Sequence, residues 1–121
     1  MQESPLFWPV KLKKVGANHD LPLLLVLDET LLPKRLHYIK VKNVNEAVRV
    51  IRDMKTRAFG QFLVVLNTFL LVLEKYHRVG ANHDLPLQTV LKQTADQLNN
   101  SRPTFPFSEV TAVVVNWAKA A

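Results

Sequence analysis

Two arginines stand where this chain could hold an anion. Arg57 falls in a break between two helix-like stretches, and Gly60 follows where the second stretch begins. The first turn of a helix has unpaired N–H groups and a partial positive charge, so an arginine beside it suits a phosphate. Arg102 sits in Ser101-Arg102-Pro103-Thr104 at a second interhelical break, where the Thr104 hydroxyl can add a hydrogen bond. From spacing alone, however, each arginine reads first as a surface side chain or a helix C-terminal cap. The pairs His19-Asp20 and His83-Asp84 would give zinc two imidazoles and two carboxylates if they met in space. Both pairs lie in turn-rich Ala-Asn-His-Asp breaks, where Asn and Asp bond their own backbone, and that reading is preferred. No metal is assigned. His37 and His77 read as surface histidines beside basic neighbours.

Other chemistry finds little footing. Cysteine is absent, which removes disulfides, thiolate zinc sites and cysteine nucleophiles and suits a reducing cytosol. With three glycines, no phosphate loop or dinucleotide fingerprint can be drawn, and no Gly-x-Ser-x-Gly elbow occurs. No carboxylate spacing points to a hydrolytic pair, so no catalytic residue and no cofactor is assigned. The net charge of +6 and pI near 9.8 favour an anionic partner. The basic residues seldom interleave with aromatics, so a stacking platform for nucleic acid is poorly supported. The N-terminus carries no secretory signal pattern. The longest apolar run is about a dozen residues against the ~20 of a spanning helix. A cytoplasmic protein without membrane contact is expected.

The elements that must carry the arginines are readable from periodicity. Val10-Lys11-Leu12-Lys13 alternates as a half-buried strand does, and Leu23 to Leu27 is a continuous apolar run. The two can form a hairpin around Gly16–Asp20. His37 to Lys42 alternates again, which completes a three-stranded antiparallel unit that needs a helical layer over its apolar face. Asn43 with Glu46 resembles a capping box, followed by Val44, Ala47, Val48, Ile51 and Met54 at helical spacing. The stretch from Met54 to Tyr76 is apolar on every side between Phe62 and Leu73, which predicts a central helix buried all round. After Pro86, residues Leu87, Val90, Leu91, Thr94 and Leu98 share one face. Pro103 stops that helix. Ser108 is placed to cap a last helix with Val110, Val113, Val114 and Trp117 on one side. The expected fold is α+β and predominantly α, with residues 1–42 as a small β unit and residues 43–121 as a bundle of about four helices, all in one domain.

A nine-residue segment is present twice. Val15 to Leu23 (VGANHDLPL) recurs letter for letter at Val79 to Leu87. The flanks read as strand after the first copy and helix after the second, so this is no solenoid repeat, which would stack like units in like conformations.

With these elements in order, a family resemblance emerges. Leu27-Asp28-Glu29-Thr30-Leu31-Leu32-Pro33 is similar to the Leu-Asp-Gln-Thr-x-Leu-Pro signature of the methylthioribose-1-phosphate isomerase family. That superfamily is shared with archaeal ribose-1,5-bisphosphate isomerase and the regulatory subunits (alpha, beta, delta) of translation initiation factor 2B. The strand at Tyr38–Val41 and the helix containing Ile51-Arg52-Asp53-Met54 come in the family's order. Thr56-Arg57-Ala58-Phe59-Gly60-Gln61 stands where the family has Val-Arg-Gly-Ala-Pro-Ala, and Ser101-Arg102-Pro103-Thr104 resembles its Thr-Arg-Pro-Thr.

The resemblance implies a helical N-terminal domain whose arginines, matching Arg57 and Arg102, help hold a sugar phosphate. Ala58 and Gly60 replace the glycine and proline of the family's turn. The family's larger Rossmann-like domain, with its catalytic cysteine and aspartate, has no counterpart here. The expectation is therefore an isolated N-terminal domain that acts in assembly, with a phosphate half-site at Arg57, Gly60, Arg102 and Thr104. By itself such a chain is not expected to be an isomerase. It would bind a second copy or a partner protein, with a phosphorylated sugar as a further ligand. The alternative is a small self-associating helical module without a ligand site.

Overall fold

A computed structural model describes residues 9–13, 22–79, 85–103 and 105–120. Strands β1 (Val10–Lys13), β2 (Leu23–Leu27) and β3 (Tyr38–Val41) form an antiparallel sheet in the order β1-β2-β3. Its register places Val10 opposite Val26 and Val26 opposite Ile39, with Leu12, Leu24 and Val41 aligned in the next row. Because side chains alternate along a strand, these six share one face, and Val10, Leu24, Val26 and Val41 are buried there. On the other face Lys11 and Lys40 flank Leu25, and the Lys11 ammonium lies 5.3 Å from the Tyr38 ring centre. Amphipathic lysine stems thus shield an apolar row while their charges stay in water.

Four helices follow, α1 (Val44–Arg52), α2 (Ala58–Val79), α3 (Leu87–Ser101) and α4 (Phe107–Ala120); α1 and α2 pack on the sheet, and α3 and α4 pack on the other helices. The cap at Asn43 forms as read. The Asn43 side chain accepts from the Glu46 amide at 2.9 Å, but the reciprocal half of the box departs from the pattern: the Glu46 carboxylate accepts from the Lys42 amide, one residue before the cap, at 3.3 Å. Helix α1 buries Ala47, Val50 and Ile51. Met54, expected on that apolar face, instead lies beyond the helix end and is exposed. It takes φ 55°, the left-handed conformation that turns a helix off, and its N–H donates to the Ile51 carbonyl at 3.0 Å.

Helix α2 touches β1, β2 and each of the other helices. The expectation that it is buried all round needs correction. Val64, Val65, Thr68, Phe69 and Leu71 are enclosed, whereas Phe59, Leu66 and Leu70 are exposed, Leu70 by 49%. A bundle this small has too few elements to surround a 22-residue helix on every side. Its span Ala58–His77 has a mean hydropathy of 1.5 and is long and apolar enough to cross a membrane by length and composition. The dozen-residue apolar run understated this, because Asn67 and Thr68 interrupt it only in letter. Their side chains donate to the carbonyls of Leu63 and Val64, at 2.8 and 2.6 Å, and so satisfy themselves within the helix.

Helix α3 buries Leu91, Thr94, Ala95, Leu98 and Ser101, and exposes Lys92, Gln93, Asp96 and Gln97 as its periodicity required. Helix α4 starts at Phe107, so Ser108 lies inside its first turn and is not the cap. On its expected apolar side Val110 and Val114 are half-buried, while Val113 and Trp117 are exposed. The chain turns from α3 to α4 around an aromatic cluster, in which the Phe62, Phe105 and Phe107 ring centres lie 5.1–5.4 Å apart. Thr111 donates to the Asn99 side chain at 3.0 Å and ties the two helices together.

Candidate functional site

The acidic loop after β2 is built to dock on another element. Asp28 is buried, and its carboxylate accepts from the Thr30 amide at 3.1 Å and from the Thr30 hydroxyl. That closes a single 3-10 turn, Glu29–Leu31, and aims Glu29 across the molecule. The Glu29 N–H donates to the Lys55 carbonyl at 2.8 Å. Its carboxylate accepts from the Thr56 hydroxyl and from the Arg57 amide, the latter at 2.8 Å. Negative charge at a helix N-terminus is favoured, so Glu29 acts as a cap for α2 supplied from a distant loop.

Gly60 belongs to this contact. A Cβ there would overlap the Thr56 hydroxyl oxygen and lie 3.2 Å from a Glu29 carboxylate oxygen. The residue is in the third position of α2 because only hydrogen leaves room for the Thr56 side chain.

Gln61 joins the second arginine to the same turn. Fully buried, it donates from Nε2 to the Thr56 carbonyl at 2.9 Å and to Met54 Sδ at 3.3 Å. Its Oε1 accepts from Arg102 Nη1 at 2.9 Å, and its backbone N–H donates to the Arg57 carbonyl at 2.8 Å. Arg102, the C-cap residue of α3, also lies over the Phe105 ring, 4.3 Å from its centre. The fold therefore brings Arg57, Gly60 and Arg102 to one short stretch of α2, although the two arginines are 45 positions apart in the chain. They differ in availability. Among the described residues, Arg57 is exposed and engaged through its backbone alone, while Arg102 is half-buried between Gln61 and Phe105. Thr104 lies outside the described residues, as do His19-Asp20 and His83-Asp84. Among the described residues no three His, Asp or Glu side chains gather.

Sequence reasoning passed over Glu29 and Gln61 as working residues. The signal for Gln61 was a lone amide opening a long apolar stretch. Such a group is buried only when something bonds it.

A second feature lies farther along α2. Leu66, Phe69, Leu70, Leu73, Val113, Val114 and Trp117 line an open apolar groove of about 390 Å³ between α2 and α4. Val113 and Trp117 are each 67% exposed along it.

Together these define a small α+β unit with an arginine-bearing helix terminus at one site and an open apolar helix pair at another. No family model matches the chain. Over 79 residues, 65% of its length, it is 35% identical to methylthioribose-1-phosphate isomerase of Caenorhabditis briggsae. The chain spans about 20% of that enzyme. It is thus a distant, partial relative of a sugar-phosphate isomerase.

Proposed function

We propose that this chain is an assembly module equivalent to the N-terminal domain of sugar-phosphate isomerases and initiation factor 2B-like proteins. It associates through the α2–α4 face and keeps an anion half-site at Arg57. The observation that carries this reading is the groove. Seven large apolar side chains from two helices line it, and none of them is charged. Contiguous apolar surface of this kind marks an association face. A second copy of the same chain is the partner, since symmetric self-pairing is the commonest way to cover such a face.

The half-site rests on Arg57, whose guanidinium is exposed beside a helix start, and on the distant isomerase relative, whose substrate bears a phosphate. Glu29 already holds the Arg57 amide, so a phosphate here would be held by guanidinium groups more than by backbone. A cytoplasmic location accords with the cysteine-free composition.

Light scattering on the purified chain tests the association. A dimer that falls to monomer in Trp117→Glu and Leu70→Glu supports it, and a wild-type monomer at high protein concentration refutes it. Calorimetric titration with ribose 5-phosphate and inorganic phosphate tests the half-site. Saturable heat lost in Arg57→Ala supports it, and no heat in the wild type leaves an assembly module alone.

A further inference from the structure

A second, smaller and open cavity of about 280 Å³ lies between α1, α2 and α3, lined by Val44, Leu71, Val72, Lys75, Tyr76 and Val90, with Asn43, the N-cap of α1, at its side. Its walls are almost wholly apolar. An engineered apolar cavity of about 150 Å³ takes up benzene, so a ring-sized molecule fits here.

The position of Lys75 in this cavity is unusual for a lysine. Its amine donates one hydrogen bond, to the Lys42 carbonyl at the end of β3, and forms no ion pair among the described residues. An ammonium has three donors and prefers water to apolar walls. Burial accordingly holds its pKa below the ordinary lysine value, and the Glu46 carboxylate on α1 opposes that only in part. Tyr76 is its neighbour on α2, and the α3 residue lining the cavity, Val90, is uncharged. A lysine desolvated in an apolar pocket is the usual form of an amine nucleophile.

We propose that Lys75 is a carbonyl-reactive amine and that this cavity takes small apolar aldehydes. The neutral Nζ adds to the aldehyde carbon, and the carbonyl oxygen takes up a proton. The carbinolamine then loses water to leave an imine whose apolar substituent lies against Val44, Leu71 and Val90. No oxidant or second substrate is needed, and hydrolysis reverses the step.

Benzaldehyde with cyanoborohydride, followed by peptide mapping of the full chain by mass spectrometry, tests this. At pH 7, Lys75 is expected to be labelled several-fold faster than the exposed Lys40 and Lys92. The ratio should fall toward one as the pH passes 10.5, above which the exposed lysines also become mostly neutral. Lys75→Arg, which keeps the charge and the bond to Lys42, should lose that label alone and leave the other lysines unchanged. Labelling of Lys75 at pH 7 no faster than of Lys40 and Lys92 would overturn the proposal. So would an equal advantage for glyoxylate, a charged aldehyde the apolar walls should reject. Neither result bears on the α2–α4 groove or on Arg57, which lie elsewhere.

Discussion

The Glu29 carboxylate accepts a 2.8 Å hydrogen bond from the Arg57 amide and so fastens the loop after β2 to the first turn of α2. The bond joins residues 28 apart and makes the sheet and the long helix one unit at this corner. Glu29→Ala should remove the cap and lower the free energy of unfolding by about 0.5–2 kcal/mol, the usual cost of losing an N-terminal cap. Glu29→Gln, which still accepts a hydrogen bond but lacks the charge, should cost less. Urea titrations of the three proteins check the order, and a Gln variant as damaged as the Ala variant would contradict it.

Gly60 gives a prediction whose sign is informative. An ordinary helical glycine replaced by alanine gains about 1 kcal/mol. Here the added methyl would overlap the Thr56 hydroxyl, beside Glu29. Gly60→Ala is therefore expected to destabilise by about 1–3 kcal/mol in urea titration, as overpacking does. Thr56→Ser in the same background leaves the hydroxyl in place and should rescue little. Thr56→Ala removes it and should recover most of the loss.

Gln61 has both ends of its amide committed, to the Thr56 carbonyl and to Arg102. Gln61→Leu keeps the volume but strands those partners, at a cost of about 1–3 kcal/mol. Because Arg102 acts through the same bond, Gln61→Leu and Arg102→Met should be non-additive, with coupling of at least about 0.5 kcal/mol in a double-mutant cycle. Additive losses would mean that Arg102 matters only through its packing on Phe105.

Lys75 makes stability depend on pH in a stated direction. Its folded pKa lies below the unfolded value of 10.5, with burial as the main cause. Below the folded pKa both states are protonated, and the folded protein bears the cost of desolvating the charge. Between the folded pKa and 10.5 the unfolded chain binds more protons, so stability rises with pH across that window. Lys75→Met removes the titrating group. Its stability relative to wild type should be greatest near pH 7 and decline toward pH 10.5, measured by thermal melts in buffers of matched ionic strength. A difference that stays constant with pH would show that Lys75 does not titrate in this window.

Much of this architecture was written in local patterns. The alternation at Val10–Lys13, the capping pair Asn43 and Glu46, and the spacing of Leu91, Thr94 and Leu98 each matched the element that formed. The repeated nonapeptide makes the point most sharply. Its final Leu-Pro-Leu leads into β2 at Leu23 and into α3 at Leu87. The residues downstream of each copy decide the outcome: a continuous apolar run after the first, a 3.6-residue period after the second.

The sequence by itself therefore determined which elements form, their order, and that Arg57 and Arg102 sit at breaks between helices. It also set the charge and the absence of cysteine. Tertiary structure alone decided which sides of α2 and α4 meet, and so left Leu70, expected inside a helix buried all round, beside Trp117 in an open groove. Only the folded chain set Glu29 against Arg57, Gln61 against Arg102, and Lys75 in an apolar cavity. The physical reason is range. Helix and strand preferences act over a few neighbours along the chain. Burial, and the bonds that make burial tolerable for a polar group, depend on what other elements bring to the same point in space.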